Sequence, residues 1–136
     1  MAYTVYGSQA PVRMDNNTMG QGFALEFIND GSVPVTAATV LTDSCAVAVT
    51  AASTCGYATG KVLGKALAIL PNSHVLVQVK GVMRLEYTST APTIGKSITC
   101  TTAGKVLAGT SDATVSNGVV IAVNSGDTPT TVDVLL

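Results

Sequence analysis

The sequence predicts an all-β fold, a single small β-barrel or β-sandwich with an extended N-terminal arm. Three observations carry that reading. The first is the run 75–87. Val75, Val77, Val79, Met83, Leu85 and Tyr87 fall on one side of a two-residue repeat, and Gln78, Lys80, Arg84 and Glu86 fall on the other, with Leu76 and Val82 as exceptions. Successive strand side chains point to opposite faces, so alternation of this length reads as a half-buried strand, whereas a helix would scatter the charges among apolar residues. The second is composition. Of 136 residues 47% are hydrophobic and 11% are charged, against about a quarter charged in a typical soluble domain. The apolar residues are mostly Ala and Val, set among Thr, Ser and Gly, a mixture that favours strands joined by turns. The third is spacing. Short apolar runs at 33–41, 46–51, 61–70, 75–87, 97–100, 105–108, 118–123 and 131–136 alternate with turn residues such as Thr42-Asp43-Ser44 and Asn124-Ser125-Gly126-Asp127. Many short strands so spaced point to a barrel or sandwich.

Taken in order, residues 1–33 read as an extended arm that ends in a short strand, 23–28. The arm holds a polar, turn-rich run over 14–22, both phenylalanines, and Tyr3 and Tyr6. Asp30-Gly31 closes the strand with a strong turn signal. Phe23 and Phe27 read either as ordinary core or, with Tyr3, Tyr6 and Arg13, as the contact residues of an arm laid on a neighbouring protein. Residues 34–136 read as the β-barrel-like domain. Within it 61–70 is ambiguous: Ala, Leu and Lys favour helix, while Gly60 and Gly64 oppose one. Gly81 interrupts the central run, so one bent strand or two strands meeting at Gly81 are expected. The order of apolar run, turn and alternating strand recurs, which implies a weak internal duplication, 34–80 and 92–136.

A chain of this length forms one domain and can bury a sizeable core without staples. The formal net charge is −1, which leaves no basic face for phosphates, so no nucleic-acid partner is expected. No stretch of about 18 apolar residues is present, so no membrane-spanning helix is expected. The N-terminus lacks a basic segment followed by an apolar one, so no secretory signal is expected. Cys45, Cys55 and Cys100 are odd in number and widely spaced. They read as buried reduced thiols, with a Cys45–Cys55 bridge across a hairpin as the alternative.

The sequence offers little chemistry. His74 is the single histidine, and its neighbours Asn72 and Ser73 form a turn rather than a triad, so it reads as a surface turn histidine. Gly95-Lys96-Ser97 resembles the end of a phosphate-binding loop, but the required earlier glycine is replaced by Thr90. The carboxylates are Asp15, Glu26, Asp30, Asp43, Glu86, Asp112, Asp127 and Asp133. Most of the aspartates fall in expected turns, where they cap backbone amides. No catalytic residue, metal site or cofactor is expected.

Over residues 75–136 the chain resembles a known family. Val79-Lys80-Gly81-Val82-Met83-Arg84-Leu85, then Ala91-Pro92-Thr93-Ile94-Gly95-Lys96-Ser97-Ile98-Thr99, Ala103-Gly104-Lys105-Val106, Gly118-Val119-Val120-Ile121-Ala122-Val123 and the alternating close over 127–136 are similar, in order, to the small capsid decoration (cement) proteins of tailed bacteriophages. The resemblance covers the C-terminal half and, through the duplication, extends to 34–74; the arm lies outside it. It implies a β-tulip-like barrel, a homotrimer on the outer surface of the virion, and the major capsid protein as partner. It implies a structural role, made in the host cytoplasm, bridging capsid subunits after shell expansion, with no enzyme activity. The rival readings are a receptor- or glycan-binding β module, such as a head fibre or adhesin domain, and a small hydrolase or protease accessory domain.

Overall fold

The computed structural model describes residues 23–34 and 45–136, which are all-β. The strands run β1 (Phe23–Asn29), β2 (Ala46–Ala51), β3 (Thr54–Gly56), β4 (Gly64–Ile69) and β5 (His74–Lys80), then β6 (Val82–Glu86), β7 (Ile98–Cys100), β8 (Val106–Ala108), β9 (Val119–Asn124) and β10 (Thr131–Leu135). The first five close into a barrel in the order β1-β3-β2-β4-β5. The remainder forms a three-stranded sheet, β6-β10-β9, and a β7–β8 hairpin.

The expected break at Gly81 is the joint between these two parts. Gly81 has a φ of 95°, in the left-handed region that glycine enters without steric cost. On one side β5 completes the barrel; on the other β6 starts the second sheet. Backbone bonds in both directions between Gly81 and Leu136 hold the joint to the end of the chain. Gln78 braces it from inside. Its Nε2 donates to Lys80 O at 3.1 Å and Val82 O at 3.2 Å, one carbonyl on each side of the bend. The alternation places Gln78 on the polar face, yet it is fully buried. The reason is the bend itself, which folds the chain over that face.

Residues 61–70, ambiguous from propensity, contribute strand β4. Tertiary pairing decides it: β4 lies between β2 and β5, and Gly64 is where β5 passes so close that a Cβ would collide with the Gln78 carbonyl. Strand β3, only three residues long, has no counterpart in the sequence pattern. The expected run 33–41 lies outside the described residues from 35 onward. Strand β1, on the arm side of the boundary at residue 33, is a stave of the barrel; it pairs antiparallel with β5 and, at Ile28 and Asn29, parallel with β3.

The described residues form two cores, and β2 is the wall between them. Cys45 and Val47 point into the barrel with Cys55, Ala66, Ile69, Val75 and Val77. Ala46 and Ala48 point the other way, onto Met83, Leu85, Tyr87, Ile98, Cys100, Val106, Val120, Val132 and Val134. The small alanines let the second sheet approach the barrel wall closely. A strand apolar on both faces is the expected signature of burial on both sides.

Candidate interaction surface

The polar residues available for chemistry are spent on structure. His74 opens β5, and its Nδ1 lies 3.0 Å from Glu26 Oε2 on β1 and 3.3 Å from Asn72 Nδ2. Asp30 accepts from Ser32 N at 2.8 Å and Ser32 Oγ at 2.6 Å. Asp112 accepts from Thr114 N at 2.9 Å and Thr114 Oγ1 at 2.6 Å. These bonds hold both carboxyls below the usual aspartate value, the turn-capping role the sequence predicts. Asp133 is different: it is buried on β10 and bound by Arg84.

None of the three cysteines is in a disulfide, and all three are buried. Burial pushes the Cys55 thiol up to about 11 and the Cys100 thiol up to about 12, because a thiolate is poorly solvated there. A hairpin bridge between Cys45 and Cys55 does not form. The register sets Cys55 opposite Val49, four positions along β2 from Cys45, about 13 Å of strand and beyond disulfide reach. Tyr57 packs beside Cys45, and burial raises its hydroxyl above the usual tyrosine range. Among the described residues no three His, Cys, Asp or Glu side chains stand together as a metal cluster.

What the described surface presents instead is apolar area. On β1, Phe23, Leu25 and Ile28 are exposed, Phe23 to 55%. On the second sheet, Val119, Ile121 and Leu135 are exposed to more than 40%, and Ile94, in the turn before β7, to 62%. These four are neighbours. Val119 and Leu135 are register partners, Ile121 follows two residues along β9, and Ile94 precedes Gly95, whose N–H donates to Val120 O. Isolated exposed apolar residues are ordinary, but contiguous ones mark contact surfaces.

Between the end of β5 and the β9–β10 margin lies an open groove of about 630 Å³. Val62, Leu63, Val79, Val119 and Leu135 line it, with Lys80 as its single charged side chain among the described residues. Asn117 fixes one rim: its Oδ1 accepts from Val62 N and its Nδ2 donates to Val62 O, at 2.8 and 2.9 Å.

Of the contact residues expected on the arm, Tyr3, Tyr6 and Arg13 lie outside the described residues. Phe23 is exposed, whereas Phe27 is half-buried and packs on the barrel core. The margin at Val119, Ile121, Leu135 and Ile94 was not singled out by sequence reasoning. Its only signal is that 119–123 is apolar without alternation, which a doubly buried strand shares. Comparison of the chain with protein-family models, with curated proteins and with solved structures gives no match.

Proposed function

We propose that this chain is a structural virion protein that decorates and stabilises the outside of an icosahedral phage capsid, bridging major capsid protein subunits after expansion. The observation that carries the reading is exposed apolar side chains at two places, Phe23, Leu25 and Ile28 on barrel strand β1 and Val119, Ile121 and Leu135 along β9 and β10. A protein that holds two neighbours together needs two contact surfaces on a rigid body. The two packed cores joined through β2 supply such a body. The resemblance over 75–136 supplies the partner. Modest contacts repeated by a homotrimer add up to high avidity, and the arm adds reach. In this reading the protein acts by binding and transforms no substrate.

The test is co-sedimentation of the purified protein with expanded, undecorated heads over a range of salt. Binding is expected, and Val119→Lys with Ile121→Lys is expected to abolish it while the far-ultraviolet circular dichroism stays unchanged. Absence of binding by the parent protein at every salt concentration overturns the proposal.

A further inference from the structure

Strand β1 is paired unequally along its two edges. It pairs with β5 from Phe23 to Ile28, whereas on its other edge, among the described residues, it pairs only at Ile28 and Asn29, with β3. The cause is the length of β3, three residues beginning opposite Ile28. The consequence shows in the side chains. Phe23, Leu25 and Phe27 alternate onto one face of β1. Phe27 packs on the barrel core, yet Phe23 and Leu25 are exposed. A strand edge beside uncovered apolar side chains is a template for an added strand.

Charge decides which strand fits. Glu26 is the single charged residue of β1. It is exposed, with Oε2 3.0 Å from His74 Nδ1, and a carboxylate accepts from more than one donor. Lys80, the register partner of Phe23, is exposed and takes part in none of the ion pairs among the described residues. The geometry points to a second copy of this chain as the added strand, its β1 antiparallel to the first and centred on Leu25. A two-fold axis there sets Leu25 opposite Leu25, Phe23 opposite Phe27 and Ala24 opposite Glu26 of the second copy, each contact made twice. Apolar side chains meet on one face. On the other, Glu26 of the second copy stands two strand spacings and one residue step from Lys80, about 10 Å between Cα atoms, within the combined reach of the two side chains. While paired, Phe23 and Leu25 are covered, so a partner binding at β1 has to part the two copies.

Disulfide trapping of the full chain tests it. Leu25→Cys places two cysteines directly opposite each other, with Cα atoms about 5 Å apart, inside the range a disulfide spans. Under copper–phenanthroline oxidation it is expected to give a species of twice the chain mass on a non-reducing gel. Ile28→Cys, also at an exposed position on β1, lies about 20 Å from its counterpart in this arrangement and is expected to couple at least about tenfold more slowly. Glu26→Lys added to Leu25→Cys is expected to slow coupling toward the Ile28→Cys rate, and adding Lys80→Glu to that variant is expected to restore it. Circular dichroism of each variant confirms the fold. Folded Leu25→Cys protein that does not couple, Ile28→Cys coupling as fast, or coupling indifferent to the charge reversals would each overturn the pairing. No capsid is present, so failure here is distinct from failure to bind heads.

Discussion

Arg84 and Asp133 face each other across β6 and β10, with Nε 2.8 Å from Oδ1 and Nη2 3.1 Å from Oδ2. The two ends of this bidentate pair are unequally buried: the arginine side chain is 35% exposed and the aspartate 4%. Removing the arginine therefore strands a buried carboxylate, whose further contact is Asn124 Nδ2 at 3.4 Å. Arg84→Met is expected to cost about 3–5 kcal/mol, read as a lower urea midpoint at unchanged slope. Asp133→Asn should cost less, because it leaves a guanidinium that reaches water. The double variant Arg84→Met with Asp133→Leu should recover most of the loss, since an apolar pair of similar volume replaces the ions. A single Arg84→Met no more damaging than Asp133→Asn contradicts the asymmetry.

Gly64 gives a second prediction. A Cβ there meets the Gln78 carbonyl, a backbone atom fixed by strand pairing rather than the movable end of a side chain. Gly64→Ala must push β4 from β5 and break the barrel wall, at a cost of about 1–3 kcal/mol or more. Gly126, in the turn between β9 and β10, faces open space. Gly126→Ala is expected to leave the thermal midpoint nearly unchanged. Equal midpoints for the two variants would remove the close β4–β5 approach from the account of this fold.

The fold class was legible because alternation is a local signal. Met83, Leu85 and Tyr87 alternate with Val82, Arg84 and Glu86, and the first three are the buried ones. The break at Gly81 was legible for the same reason. Gln78 was not: its burial depends on where the chain travels after the bend, which no window of sequence contains. β4 falls within an expected strand run, but propensity left it ambiguous, since Ala, Leu and Lys favour helix until the β2 and β5 neighbours are in place. The surface was the least legible part. Val119 and Ile121 differ from the buried Val120 only in which side of β9 they occupy, and an apolar run carries no mark of which side is covered.

The thiols provide a third test, of the two cores. Cys55 in the barrel and Cys100 in the second core both have thiol values raised by burial, to about 11 and about 12, and Cys45 is buried in the barrel core. The thiolate is the reactive form, so native protein at pH 8 is expected to give no reaction with a chromogenic disulfide reagent on the minute timescale. In guanidinium all three should react. Fast labelling of one cysteine in the native state would show that its core opens independently of the other.

Acid stability gives the last prediction, at the turn after β1. Ser32 Oγ donates to Asp30 Oδ1 at 2.6 Å and accepts from Tyr57 N at 2.7 Å, so one hydroxyl ties the Asp30 turn to the chain leaving β3. That bond is the largest cause holding the Asp30 carboxyl below its ordinary value of 3.8, ahead of the opposing desolvation and the Ser32 backbone bond. A carboxyl with a lower value folded than unfolded contributes stability above the unfolded value and loses it as the pH falls through the folded one. Asp30→Asn should therefore be less stable than the parent near neutrality, by less than about 1 kcal/mol because the site is exposed. The difference should shrink steadily as the pH falls below 3.8. Ser32→Ala removes the same bond and should flatten the acid limb in the same way, with an added loss at every pH from the Tyr57 amide. Urea midpoints of the three proteins between acid and neutral pH decide it: a parent-to-Asn difference that stays constant or grows on acidification refutes the assignment.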